Sequence, residues 1–204
     1  MDSNQPRFDP SKSRFLKAFC KKTADAWFCT LFDNEGFMYL STLSLKDRFE
    51  AIERALTTLG SGTVEMCTEP PDTVVDVFNS VEALLQGNPL TIEAAINYGR
   101  FSPFTRKVLS QVAKVPPGFV TTYKLAARGV GEPKAARAVG NAMARNPLIL
   151  LVPCHRVVKT DLTLGEYGLG RDLKRSLLRR EGVRIQSDSV GREVIDRNCV
   201  YRFA

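Results

Sequence analysis

The sequence predicts a mixed α/β (α+β) protein built as two domains, and three observations carry that expectation. Strand-like and helix-like segments alternate through the first half, as in a small α/β or α+β module. Helical segments punctuated by Gly and Pro dominate the second half. The charge balance changes sign between them: residues 1–97 carry 9 Lys/Arg against 14 Asp/Glu, whereas residues 98–204 carry 20 against 8. A chain of 204 residues is long enough for two small domains, each with its own core. The boundary falls near Gly99, giving domains 1–98 and 99–204.

Met1 to Lys12 read as a loose tail. Ala26–Phe32, the turn Asp33-Asn34-Glu35-Gly36 and Phe37–Leu40 read as a hairpin. Asp47 caps an amphipathic helix that runs to Leu59 and ends at Gly60. A second helix is expected from Val74 to Leu85, stopped at Gly87-Asn88-Pro89, and a strand over Leu90–Asn97. Beyond the boundary, Ser102-Pro103 opens a helix to about Val115, with Phe104, Val108 and Val112 on one face. Pro116-Pro117-Gly118 stops it. A short helix over Thr122–Ala127, the turn Gly129-Val130-Gly131 and a helix opened by Glu132-Pro133 and running through about Arg145 match helix-turn-helix organisation. The second of these helices carries Lys134, Arg137 and Arg145, with small residues at Ala135, Ala136, Ala138, Gly140, Ala142 and Ala144. Such residues let its backbone approach another surface closely, and core packing accounts for them equally well. Asn146-Pro147 ends the helix, and Leu148–Val152 reads as a buried strand.

Composition narrows the function classes. The polar start lacks the apolar core of a secretory signal, and no apolar segment reaches membrane-spanning length. Cys20, Cys29, Cys67, Cys154 and Cys199 are odd in number and irregularly spaced, which fits a reducing interior better than a disulfide framework. A cytoplasmic location is therefore expected, or a nuclear one in a eukaryote. Cys20 and Cys29 could lie near each other as structural thiols. With a single histidine and no C-x-x-C motif, no metal site is expected. The basic half reads as a nucleic-acid surface, through phosphate contacts and counterion release, although charge alone carries no specificity.

The chemistry concentrates in Pro153-Cys154-His155-Arg156-Val157, where one cysteine stands beside the only histidine. The thiolate is the nucleophilic form, and a thiol with an ordinary pKa of ~8.5 needs help to ionise at neutral pH. Adjacent residues rarely meet side chain to side chain, so a water or a tight turn would have to link the two. On adjacency alone the pair reads more simply as a small buried hydrophobe beside a satisfied core imidazole. Its position, one turn and one strand after the helix-turn-helix, shifts the balance towards function.

Several motifs occur together and in order: Phe104-Thr105, Tyr123, Lys134-Ala135-Ala136-Arg137-Ala138-Val139-Gly140, Asn146-Pro147, Pro153–Val157, Tyr167-Gly168 and Arg180-Glu181-Gly182. Over roughly residues 100–183 this set resembles the O6-alkylguanine-DNA alkyltransferase (methylated-DNA–protein-cysteine methyltransferase) family. The first half matches the family only in size and in strand-helix character, and the resemblance implies a ribonuclease-H-like α/β module there. For the second half it implies a helix-turn-helix that binds duplex DNA through the minor groove and rotates an alkylated guanine out of the stack, which brings the O6 group within reach of a buried thiol. The resemblance gives Arg137 the space left by the flipped base and assigns Thr105, Tyr123, Lys124, Lys134 and Thr160 to DNA contacts. Met143, Val157, Tyr167 and Gly168 would form the base pocket.

The implied reaction is an in-line attack of the Cys154 sulfur on the alkyl carbon. Glu181 would orient His155, and His155 would deprotonate Cys154 through a bridging water. Tyr123 and the backbone N–H of Gly168 would serve the leaving guanine, and Asn146 would fix the turn before Cys154. A thioether has no easy hydrolytic exit, so each molecule would act once, as a monomer, with no cofactor. The resemblance has departures. The first half has no histidine for the zinc site some members carry. Asp161–Glu166 is more polar than the family's glycine-rich pattern, and Leu169 stands where a small residue is common, so the range of accepted alkyl groups does not carry over. Three rivals are a non-catalytic alkylguanine-recognition protein, a Cys-His thiol hydrolase and a plain helix-turn-helix transcription factor. The first lacks the cysteine in its motif, the second would need an oxyanion hole, and the third leaves Cys154, His155 and Glu181 unexplained.

Overall fold

In the computed structural model, residues 15–60, 62–89 and 91–203 are described; the expected tail over Met1 to Lys12 lies outside them. Two compact units emerge. The first holds residues up to 82 together with 92–102 and 147–151, and the second holds 83–91, 103–146 and 152 onwards.

The first unit is a four-stranded sheet of order β3-β2-β1-β4. Strands β1 (Phe15–Thr23), β2 (Ala26–Phe32) and β3 (Met38–Ser44) form an antiparallel meander, and β4 (Thr63–Met66) adds in parallel to β1. In the β2–β3 turn the Asp33 carboxylate accepts from the backbone N–H groups of Glu35 and Phe37. The register Cys20↔Cys29 places those two cysteines directly opposite each other. Alternation along β1 sends Leu16, Ala18 and Cys20 to one face, where Ala51 and Ala55 of helix α1 (Arg48–Leu59) cover them. Asp47 caps α1 by accepting from Glu50 N–H at 2.8 Å, and Gly60 ends it at φ 78°, a left-handed value that glycine adopts without a Cβ penalty. On the other face Phe19 and Phe28 stack edge-on against Phe78 of helix α2 (Asp72–Leu85).

Sequence patterning missed β1 and β4. It also expected a strand over Leu90–Asn97, and the structure corrects this. Of the described residues there, only Ile96 bridges β3, at Met38, flanked by hydrogen bonds from Met38 N–H to Ala95 and from Asn97 N–H to Met38. Leu148–Val152 is likewise not a strand. Leu148 makes an isolated bridge to Ser41, and Leu150 turns the chain at φ 68°. The run is apolar because it is buried, not because it pairs.

The second unit is mainly helical. Helix α3 (Pro103–Val112) buries Val108, Leu109 and Val112, and ends three residues short of the expected Val115. Helix α4 (Tyr123–Gly129) is capped by Thr122, whose hydroxyl accepts from Leu125 N–H. Helix α5 (Ala136–Ala144) follows the turn at Gly131, completing the helix-turn-helix. Glu132–Ala135 form a turn closed by Ala135 N–H to Glu132 O, so α5 starts four residues later than Glu132-Pro133 suggested, leaving Lys134 outside it. Strands β5 (Thr121–Thr122) and β6 (Val157–Val158) pair in parallel. Helix α6 (Arg171–Arg180) precedes an antiparallel hairpin of β7 (Ile185–Ser187) and β8 (Glu193–Ile195). Val120, Val158, Leu164, Leu178, Val183, Ile195 and Cys199 make one apolar core, so Cys199 is packing material.

Candidate active site

Cys154 opens a single 3-10 turn, Cys154–Arg156, between the buried apolar run and β6. All three side chains of that turn are buried, including two that can carry charge. Burying such groups is costly unless each is paired, and Glu181 supplies the pairing. It stands one residue beyond α6, reached by the spacing Lys174, Leu177, Leu178, Glu181 along the helix's buried stripe. One Glu181 oxygen meets His155 Nε2 at 2.8 Å and accepts from Arg156 Nη2 at 2.8 Å. The other accepts from Arg156 Nε at 2.9 Å, and Arg156 Nη1 donates to Val115 O at 2.6 Å. The guanidinium thus forks bidentately onto the carboxylate, the geometry that suits Arg and not Lys.

Protonation states follow from this arrangement. Burial opposes ionisation of Glu181, yet His155 and Arg156 hold its carboxyl down to about 2, so it is a carboxylate at neutral pH. Burial pulls the His155 pKa down despite Glu181, so the ring is neutral. A neutral ring facing a carboxylate through Nε2 carries its proton there and leaves the lone pair on Nδ1. Nδ1 is buried and has no hydrogen-bond partner among the described residues. It is the ring's free base, and the imidazolium formed when it takes a proton would be stabilised by Glu181.

Around the sulfur, burial pushes the Cys154 thiol up, while the Asn146 side chain, the Lys174 ammonium and the amides of residues 154 and 155 pull it down. Asn146 Nδ2 also donates to Val152 O at 3.2 Å, tying together the two ends of the excursion over 147–151. Lys174 is fully buried and donates to Val157 O at 2.7 Å; burial lowers its pKa to about 8, against the opposing pull of Cys154 and Glu166. The Tyr167 hydroxyl is buried with no nitrogen or oxygen hydrogen-bond partner among the described residues. Burial and the neighbouring Cys154 push its pKa well up, and its ring meets His155 edge-on at 6.5 Å. Tyr123 leads α4. Its hydroxyl lies 3.9 Å from the Cβ position of Gly165 and its ring 4.0 Å from that of Gly140, and burial and Cys154 raise its pKa.

The structure therefore gathers Cys154, His155, Glu181, Asn146, Tyr123 and Tyr167 into one cluster. Val157 enters it through its carbonyl. Met143 is buried on α5, and Gly168 is exposed in the loop before α6. Arg137 on the first turn of α5, Lys134 just before it, Lys124 on α4 and Thr160 after β6 are exposed, and Thr105 on α3 is half-buried; none of the five belongs to the cluster. Sequence reasoning gave no role to Arg156 or Lys174. The signal for Lys174 was its place on the apolar stripe of α6, where a solvated lysine does not belong. Among the described residues no cluster of three or more His, Cys, Asp or Glu side chains is placed to hold a metal, and no helix is long and apolar enough to cross a membrane.

Fold and site together define a helix-turn-helix protein that carries a buried cysteine beside a hydrogen-bonded histidine–glutamate pair. Residues 103–183 match the model for the DNA-binding domain of 6-O-methylguanine DNA methyltransferase. A methylated-DNA–protein-cysteine methyltransferase of Saccharolobus solfataricus is 37% identical over 122 residues, covering 60% of this chain and 78% of that protein. One from Methanothermobacter thermautotrophicus is 34% identical over 121 residues, covering 58% and 67%. The crystal structure of O6-methylguanine-DNA methyltransferase from Pyrococcus kodakaraensis matches with a TM-score of 0.64 at 29% identity, over 82% of this chain and 99% of that one. This chain belongs to the methylated-DNA–protein-cysteine methyltransferase family.

Proposed function

We propose that this protein repairs DNA by moving the alkyl group of O6-alkylguanine in duplex DNA onto Cys154, once per molecule and irreversibly. The observation that carries the reading is the buried chain Glu181–His155, whose only unpartnered ring nitrogen is basic, in the turn that holds the thiol. The helix-turn-helix of residues 123–144 would bind the duplex through its minor groove, with Arg137 occupying the place of the extruded base and Thr105, Lys124, Lys134 and Thr160 on phosphates. Residues 99–204 would carry binding and transfer, and residues 1–98 the ribonuclease-H-like module. The protein would act as a monomer in the cytoplasm, or in the nucleus of a eukaryote.

In the step itself the Cys154 S–H proton passes to His155 Nδ1 through a bridging water, and sulfur forms a bond to the alkyl carbon as the C–O6 bond breaks. The guanine leaves with its electron pair and takes up one proton, and Tyr123 and Gly168 N–H would serve it, so thiol plus alkylguanine become thioether plus guanine. Lys174 favours the thiolate by its charge, and Glu181 favours the imidazolium.

Intact-protein mass after incubation with a duplex containing O6-methylguanine tests this reading. The expected result is one methyl per protein, saturating, and absent in Cys154→Ala. Tight binding without a mass change would place the protein with recognition factors that do not repair, and repeated turnover would refute a thioether end point.

A further inference from the structure

The family model ends at residue 183, yet the chain continues into an ordered segment. The β7–β8 hairpin joins the second unit through Ile195 N–H to Leu162 O, and residues 199–201 run alongside Val120, with Val120 N–H donating to Cys199 O and Tyr201 N–H to Val120 O. Phe203 lies against Gly129 at the end of α4, where a Cβ would stand 2.8 Å from the ring. The segment is thus fixed to the rest of the second unit by core and backbone contacts, and to α4 by the Phe203 ring.

Between the segment and α4 runs a groove of about 630 Å³. Lys124 and Arg128 line it from α4, and Arg192, Arg197 and Arg202 from the added segment, against two carboxylates, Asp161 and Asp188. Asp188 is committed to Arg192 at 2.8 Å and to its own turn, and Asp161 accepts from Thr163. Lys124, Arg128, Arg197 and Arg202 are exposed, and among the described residues their side chains have no ion pair or hydrogen bond. Four unpaired cations converging on one concavity repel each other, and a polyanion is what removes that repulsion. Thr160 lines the same groove, so it is continuous with the DNA face that Lys124 and Thr160 belong to under the reading above.

We propose that this groove is a second binding site for the phosphate backbone of duplex DNA, added to the family's domain by residues 184–203. The proposal rests on the DNA-repair reading only for the choice of duplex DNA as the polyanion. It extends the footprint along the backbone and reads no bases, so it would strengthen the search of undamaged DNA as much as binding at a lesion.

The test compares wild type with Arg128→Gln/Arg197→Gln/Arg202→Gln and with the matching triple Lys variant, by anisotropy on an unmodified duplex between 50 and 200 mM salt. For two to three phosphates at ~0.9 of slope each, wild type should lose about 10- to 40-fold more affinity than the Gln variant over that range. The Lys variant should keep the wild-type slope, because point charges suffice. Equal slopes for wild type and the Gln variant, with unchanged melting temperatures, would overturn the proposal; so would the same slope change on a single strand with no preference for duplex. A methyl group arriving at Cys154 with equal slopes rejects the groove and leaves the repair reading standing. A lost slope in a protein that never gains a methyl supports the groove and rejects the repair reading.

Discussion

Two buried thiol environments in this molecule differ in what surrounds the sulfur. Cys20 and Cys29 stand opposite each other across β1 and β2 beneath α1, and all five cysteines are free thiols. There the Cys29 thiol donates to Cys20, pulling the Cys20 pKa down while its own rises, and Arg48 adds a modest cationic influence. Neither has an imidazole at hand. Cys154 is as well buried, but its surroundings include a neutral imidazole backed by a carboxylate, a buried ammonium and an amide clamp. Burial by itself makes a cysteine inert. What distinguishes Cys154 is a place for its proton to go.

The largest test of that contrast is deletion of each sulfur. Cys154→Ala should abolish alkyl uptake, whereas Cys29→Ala should leave one alkyl group per protein, both read by intact mass; uptake lost in Cys29→Ala with a native melting curve would break the comparison. Glu181→Gln comes next. It leaves the Arg156 guanidinium buried without its charge partner and removes the group that stabilises the imidazolium. Transfer should slow by about 10²- to 10⁴-fold, and the fold should lose about 3–5 kcal/mol, measured by single-turnover kinetics and denaturant titration.

The same network sets an acid dependence. The folded pKa values of His155 and Glu181 both lie below their ordinary values of 6.5 and 4.5. The unfolded chain therefore binds protons first, and stability falls as pH drops below 6.5 and again from 4.5 towards about 2. Denaturant midpoints across this range should show both losses, and Glu181→Gln should flatten the lower one. Lys174→Met is the gentler perturbation. Without its charge the thiol rises further, so transfer at neutral pH should slow and the pH–rate profile should move to higher pH. Cys20→Ala should be the mildest, costing about 1–2 kcal/mol of packing with no change in transfer rate.

Much of this was legible in the sequence where local rules govern. Asp47 and Gly60 bound α1 because caps are local chemistry, and the glycine turn before α5 announced the helix-turn-helix. The apolar run before Cys154 misled, because burial on all sides looks the same whether the chain pairs or turns, and Leu150 turns in a left-handed conformation that its side chain does not advertise. Strands β1 and β4 escaped because their partners, not their own composition, make them strands. Within the site, His155 and Glu181 came into view together through an ordered set of motifs. Arg156 stood in that motif without a role, since only its long-range bonds to Val115 and Glu181 reveal one.

That shared carboxylate has a consequence for how such a chain can drift over generations. Glu181 serves His155 and Arg156 with two oxygens and three contacts, so no single replacement at 156 or 181 leaves the other residue satisfied. Lysine at 156 could not fork, and aspartate at 181 would fall a methylene short. The two positions are locked to each other, and any viable departure must change both within one lineage before selection removes the intermediate.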